Sequence, residues 1–162
     1  MQNIQIKKDL AAKTIQITRD FNAPLNKVWR AFTEKELLDQ WWGPQPWKAE
    51  TKHMDFTEGG YWLYAMVGPN DEKHWSRADF VTIDPMKSFK GKDGFCDENG
   101  TMNPEMPLTD WTNVFTETAE GTRVTNTLQF QDVKDLQTLV DMGFEQGYSM
   151  GLNQLEALLD SL

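Results

Sequence analysis

ITRDFNAPLNKVWRAFTEKELLDQWWGP, from Ile17 to Pro44, decides how the rest of the chain is read. Apolar residues at Ile15, Ile17 and Phe21 alternate through the polar Arg19, the period of a strand. Asn22-Ala23-Pro24 breaks that period. A helix is expected next, with Asn22 as N-cap, Pro24 in the first turn, and Val28, Trp29 and Phe32 along it. Thr33 is expected to open a second short helix, with Glu36 three residues later to complete a capping box. Leu37, Leu38 and Trp41 give this helix an apolar side, and Gly43-Pro44 ends it. Neighbouring residues on a helix point about 100° apart. Trp41 continues the side set by Leu37 and Leu38 and reads as a core plug. Trp42 is free to point elsewhere and is a candidate for the edge of a pocket.

Beyond residue 48 the pattern is mostly of period two. KAETKHMDF (48–56), YWLYAMV (61–67) and HWSRADFVTI (74–83) read as strands, separated by Glu58-Gly59-Gly60 and by Gly68-Pro69-Asn70-Asp71. Residues 91–107 hold Gly91, Gly94, Gly100, Pro104 and Pro107. The expectation there is a short strand over Ser88–Lys92 and then a long loop. TDWTNVFTE (109–117) and TRVTNTLQF (122–130) form a hairpin across Thr118–Gly121. Asp132 can cap a helix through Leu136, Leu139 and Val140. A second helix, or a kinked continuation, runs from Phe144 to Leu159. Strands followed by a terminal helix that covers one sheet face make an α+β domain.

The chain has 162 residues, enough for one substantial core, and its 39% hydrophobic and 12% aromatic content suits a folded protein. Its net charge of −9, from 25 acids against 16 bases, argues against nucleic acid and against anionic membrane surfaces as partners. Cys96 is alone, so no disulfide forms within the chain. No apolar run approaches the roughly 18 residues of a membrane span. MQNIQIKKDL lacks the apolar centre of a signal peptide, and the expected location is the cytoplasm.

The opening stretch resembles that of the START-like, helix-grip (SRPBCC) superfamily, in the branch related to the activator of heat-shock protein 90 ATPase, which includes stand-alone bacterial proteins. The residues that carry the resemblance are Phe21, Ala23-Pro24, Val28-Trp29 and Trp41-Trp42-Gly43-Pro44. MDFTEGGYWLYAM, RADFVTIDP and MGFEQGYSMGLNQLEALL resemble later blocks in the same order. Thr57-Glu58 departs from the basic residue and Pro of many members. The resemblance covers about residues 14–160 and implies a single helix-grip domain over residues 1–162, with a curved antiparallel sheet around a long C-terminal helix and often a cavity between them. Function does not follow from the fold, which hosts lipid carriers, cyclases, hydrolases and co-chaperones.

Several motifs bear on chemistry. Gly147-Tyr148-Ser149-Met150-Gly151 matches G-x-S-x-G, but a helical stretch precedes it, and His53 and His74 both lie upstream, so no nucleophile elbow is supported. Neither histidine has the spacing of a metal site, and no metal or cofactor is implied. Gly143, Gly147 and Gly151, four apart, line one helix face, which allows close packing on the sheet or leaves a void above it. The hairpin is the most informative element. With Thr118–Gly121 as the turn, Phe115 pairs with Val124, Asn113 with Asn126, and Trp111 with Leu128. Two amides then face each other in an apolar stripe. They either bond each other or a buried water, or they orient a ligand.

The expected function is binding of a small, largely apolar ligand, lipid-like or aromatic, in a cavity lined by Trp62, Tyr64, Phe80, Asn113, Phe115, Asn126, Gly147 and Tyr148. A chaperone-associated factor, possible only through the resemblance, is the second reading. A cyclase- or hydrolase-type enzyme in the same cavity is the third, although the expected lining holds no carboxylate or histidine.

Overall fold

The computed structural model describes residues 4–162. In chain order the elements are β1 (Ile4–Asp9), β2 (Thr14–Phe21), α1 (Leu25–Thr33), α2 (Lys35–Trp41), β3 (Lys48–Met54), β4 (Tyr61–Val67), β5 (Lys73–Asp84), β6 (Ser88–Cys96), β7 (Leu108–Glu117), β8 (Thr122–Phe130), α3 (Val133–Asp141) and α4 (Phe144–Ser161). The eight strands form one curved antiparallel sheet in the order β1-β2-β8-β7-β6-β5-β4-β3, and the fold is the α+β helix grip. Alternation assigns the inner face: Ile15, Ile17, Arg19 and Phe21 on β2 are buried, and so are Thr122, Val124, Asn126, Leu128 and Phe130 on β8. Leu136 of α3 and Leu152, Leu155 and Leu159 of α4 complete the core from the helix side.

Arg19 lies on the inner face and is fully buried. It donates to Asn153 Oδ1 at 2.9 Å and pairs with Glu156 at 3.2 Å, tying β2 to α4. The β7–β8 hairpin has the register expected from its turn, with Phe115 opposite Val124, Asn113 opposite Asn126 and Trp111 opposite Leu128.

Local structure departs from expectation in four places. Asn22 does not cap α1, because Pro24 occupies the cap position. Thr33 is the last residue of α1 and donates its hydroxyl to the Trp29 carbonyl at 2.8 Å; no capping box forms, and Glu34 stands before α2. An added strand, β1, pairs with β2 at the sheet edge, its alternation limited to Ile4 and Ile6 before Lys7-Lys8-Asp9. β6 runs on to Cys96 where a loop was expected after Lys92. Its glycines are there for close packing. A Cβ on Gly91 would lie 2.5 Å from the Trp111 ring, and one on Gly94 would lie 2.6 Å from Met102. By contrast, Asp132 caps α3 as expected, accepting from the Asp135 N–H at 2.9 Å.

The loop after α2 is fastened to α4 by one side chain. Gln154 Nε2 donates to the Trp41 carbonyl at 3.0 Å and the Gly43 carbonyl at 2.8 Å, while its Oε1 accepts from the Gln45 N–H at 2.9 Å. Gly43 has φ +105°, and a Cβ there would meet Met66 Sδ at 2.5 Å, so this bend requires glycine. Replacing Gln154 with Ala removes three hydrogen bonds at once. Urea unfolding of that variant should show a loss of about 1–3 kcal/mol.

Candidate functional site

The two tryptophans have separate roles. Trp41 is 1% exposed, donates from Nε1 to the Ala31 carbonyl at 2.8 Å, and packs edge-on against Phe32. Trp42, turned the other way, donates to the Tyr64 hydroxyl at 3.1 Å and meets Trp62 at 5.6 Å and Tyr148 at 6.0 Å between ring centres. It joins α2, β4 and α4 in one aromatic group. Trp62 stacks on Tyr64 at 4.1 Å and donates to Thr51 Oγ1 at 3.0 Å; Thr51 in turn donates to Asp39 at 2.6 Å.

This group forms one wall of a cavity of about 520 Å³ between the sheet and the α3–α4 junction. Seven of the eight residues singled out in the sequence lie around it: Trp62, Tyr64, Phe80, Asn113, Asn126, Gly147 and Tyr148. Phe115 does not. It sits one pair further along the hairpin and packs against Trp29 at 5.0 Å, Phe32 at 5.3 Å and Phe89 at 5.9 Å, beneath α1. The two buried amides bond each other, Asn126 Nδ2 donating to Asn113 Oδ1. Gly143 is not part of the glycine face in a helix; it is the left-handed residue between α3 and α4, at φ +86°. Gly147 and Gly151 face the α2 end rather than the sheet, their nearest atoms being Pro44 at 3.5 Å and the Trp41 carbonyl at 3.6 Å.

The expectation of a lining without carboxylate or histidine does not hold, since Asp93 and His74 both border the cavity. Asp93 lies on the inner face of β6 between Ala78 and Thr109. Burial, with the charge of Asp110 as a lesser cause, pushes its carboxyl up to about 7. Tyr64 is held above its ordinary value by burial and then by the Asp93 charge, and Tyr148 by burial. His74 packs on Trp47 and His53 on Tyr61, at separate places. Among the described residues no three His, Cys, Asp or Glu side chains gather for a metal ion. Continuing the period-two reading of β6 beyond Lys92 would have placed Asp93 on this face; treating its glycines as loop markers hid it.

The profile of the family described as Activator of Hsp90 ATPase homolog 1-like protein matches residues 22–160. The chain belongs to this family. Among solved structures, a protein from Mycobacterium smegmatis is 34% identical with a TM-score of 0.89, the match covering 96% of each chain. One from Arthrobacter aurescens is 30% identical with a TM-score of 0.91, covering 98% of this chain and 92% of the other. One from Staphylococcus epidermidis is 34% identical with a TM-score of 0.83, covering 98% and 94%. No curated protein matches the chain. This member of the Activator of Hsp90 ATPase homolog 1-like family carries an aromatic-walled cavity bordered, among the described residues, by one carboxylate, Asp93.

Two measurements check this description. Changing either Asn113 or Asn126 to Leu strands the other amide and should cost about 1–3 kcal/mol in urea unfolding, while the double change should cost less than the sum. The folded Asp93 carboxyl holds its proton to higher pH than the unfolded one, so the folded state binds more protons between about pH 4 and 7 and loses stability as pH rises through that window. Asp93→Asn should thus raise the melting temperature relative to the parent at pH 8, and the gain should shrink towards pH 4.

Proposed function

We propose that this protein binds a small, largely apolar ligand, lipid-like or aromatic, in the cavity between the sheet and α4, and does so as a single-domain protein of the cytoplasm. The observation that carries this reading is the cavity itself. At about 520 Å³ it lies within the ~300–1,000 Å³ common for small-molecule sites, and its walls are mainly aromatic and aliphatic with a few polar groups. Catalysis by a histidine–carboxylate pair is disfavoured by the spacing of the two groups in the cavity. His74 lies four residues along β5 from Ala78, the partner of Asp93, or about 13 Å at the rise of a strand. That is too far for an acid–base pair to work on one bond.

The description of the family supports a second reading, in which the protein acts on a chaperone ATPase through its surface. Gly147→Trp separates the two. A Trp there fills cavity volume beside Pro44 and Tyr148. Native mass spectrometry of the parent should show a bound small molecule, or uptake from a panel of lipids and aromatics, and the variant should show neither while keeping its melting transition. ATPase stimulation that persists in the variant would instead favour the surface role, and a parent protein that retains and takes up nothing would remove the ligand reading.

A further inference from the structure

Asp93 is out of place in such a cavity unless something pairs with it. Its neighbours across the sheet, Ala78 and Thr109, are small, so the carboxylate is open to the space above. Among the described residues it makes no side-chain hydrogen bond and no ion pair, and no Lys or Arg borders the cavity. The adjacent Lys92 points to the other face and pairs with Asp110 at 3.7 Å. The other titratable groups around the cavity are Tyr64 on β4, His74 on β5 and Tyr148 on α4; Asp110 on β7 adds a like charge from outside. Nothing in this set supplies a positive charge beside Asp93.

Electron-rich rings stand close by. Trp62 occupies the same cross-strand row as Asp93, with Ala78 between them. Tyr64 stacks on Trp62, and Trp42 and Tyr148 close the group. Ring faces attract cations, and a carboxylate in a poorly hydrated site binds a cation more strongly than one in water. A second anion would raise the cost of the first.

On the basis of the ligand-binding reading above, we propose that the cavity selects a hydrophobic amine in its protonated form, with the ammonium paired to Asp93 beside Trp62 and Tyr64 and the apolar body against the remaining walls. Fatty-acid-like anions are excluded by the same carboxylate. The amine binds the ionised form of Asp93 and draws its proton off, so affinity rises with pH from about 6 to 8, the range over which the free carboxyl titrates.

Isothermal titration with octylamine, 1-octanol and octanoate at pH 8 tests this, using the parent and Asp93→Asn. In the parent, octylamine should bind at least about tenfold more tightly than octanol, with octanoate weakest. In Asp93→Asn the amine and the alcohol should become nearly equal while octanol binding persists, which also reports that the variant is folded. The amine affinity of the parent should drop on going to pH 6, and that of octanol should not. Octanoate binding as well as octylamine, or an amine preference that survives in Asp93→Asn, overturns the proposal and leaves the ligand reading standing. Failure of all three to bind the parent overturns both.

Discussion

The buried indole of Trp41, hydrogen-bonded to the Ala31 carbonyl and wedged against Phe32, fixes the end of α2 relative to α1. Most of the site follows from that one placement. Trp42 leaves the same helix end in another direction and reaches β4 and α4. The bend at Gly43 follows at once, and Gln154 takes hold of the carbonyls on both sides of it. A wall of the cavity is thus assembled from the end of α2, from β4 and from α4.

How much of this was legible depended on whether the local pattern had a single meaning. The β7–β8 hairpin was readable because a four-residue turn and strict alternation leave one register, and a slip by one residue would have turned Asn113 and Asn126 outward. The core role of Trp41 was readable from its spacing to Leu37 and Leu38. β6 was not. Gly91 and Gly94 signal a loop in most contexts, whereas here they are strand positions that give way to Trp111 and Met102, a fact of tertiary packing invisible in one strand. The capping box failed for a related reason: Thr33 can bond forwards to a new helix or backwards to Trp29, and burial chose the second.

The same ambiguity explains what was missed in the site. Composition and alternation find apolar walls well, since a wall residue and a core residue obey the same rule; that is also why Phe115 was placed in the wall and belongs under α1. They find a buried charge poorly. Asp93 was hidden by a glycine-containing segment in which a long loop after Lys92 was the expectation. Its position becomes apparent only when β6 is paired on both sides, with β5 and β7.

The sheet does not close on itself, and β1 and β3 are left at its two margins. Their sequences, IQIKKD and KAETKHM, are crowded with charged side chains. A free strand margin offers unpaired N–H and C=O groups to any extended chain, and charges along it oppose such pairing. The margins where molecules could join strand to strand into aggregates are thus the places where lysines gather, with Glu50 between two of them on β3.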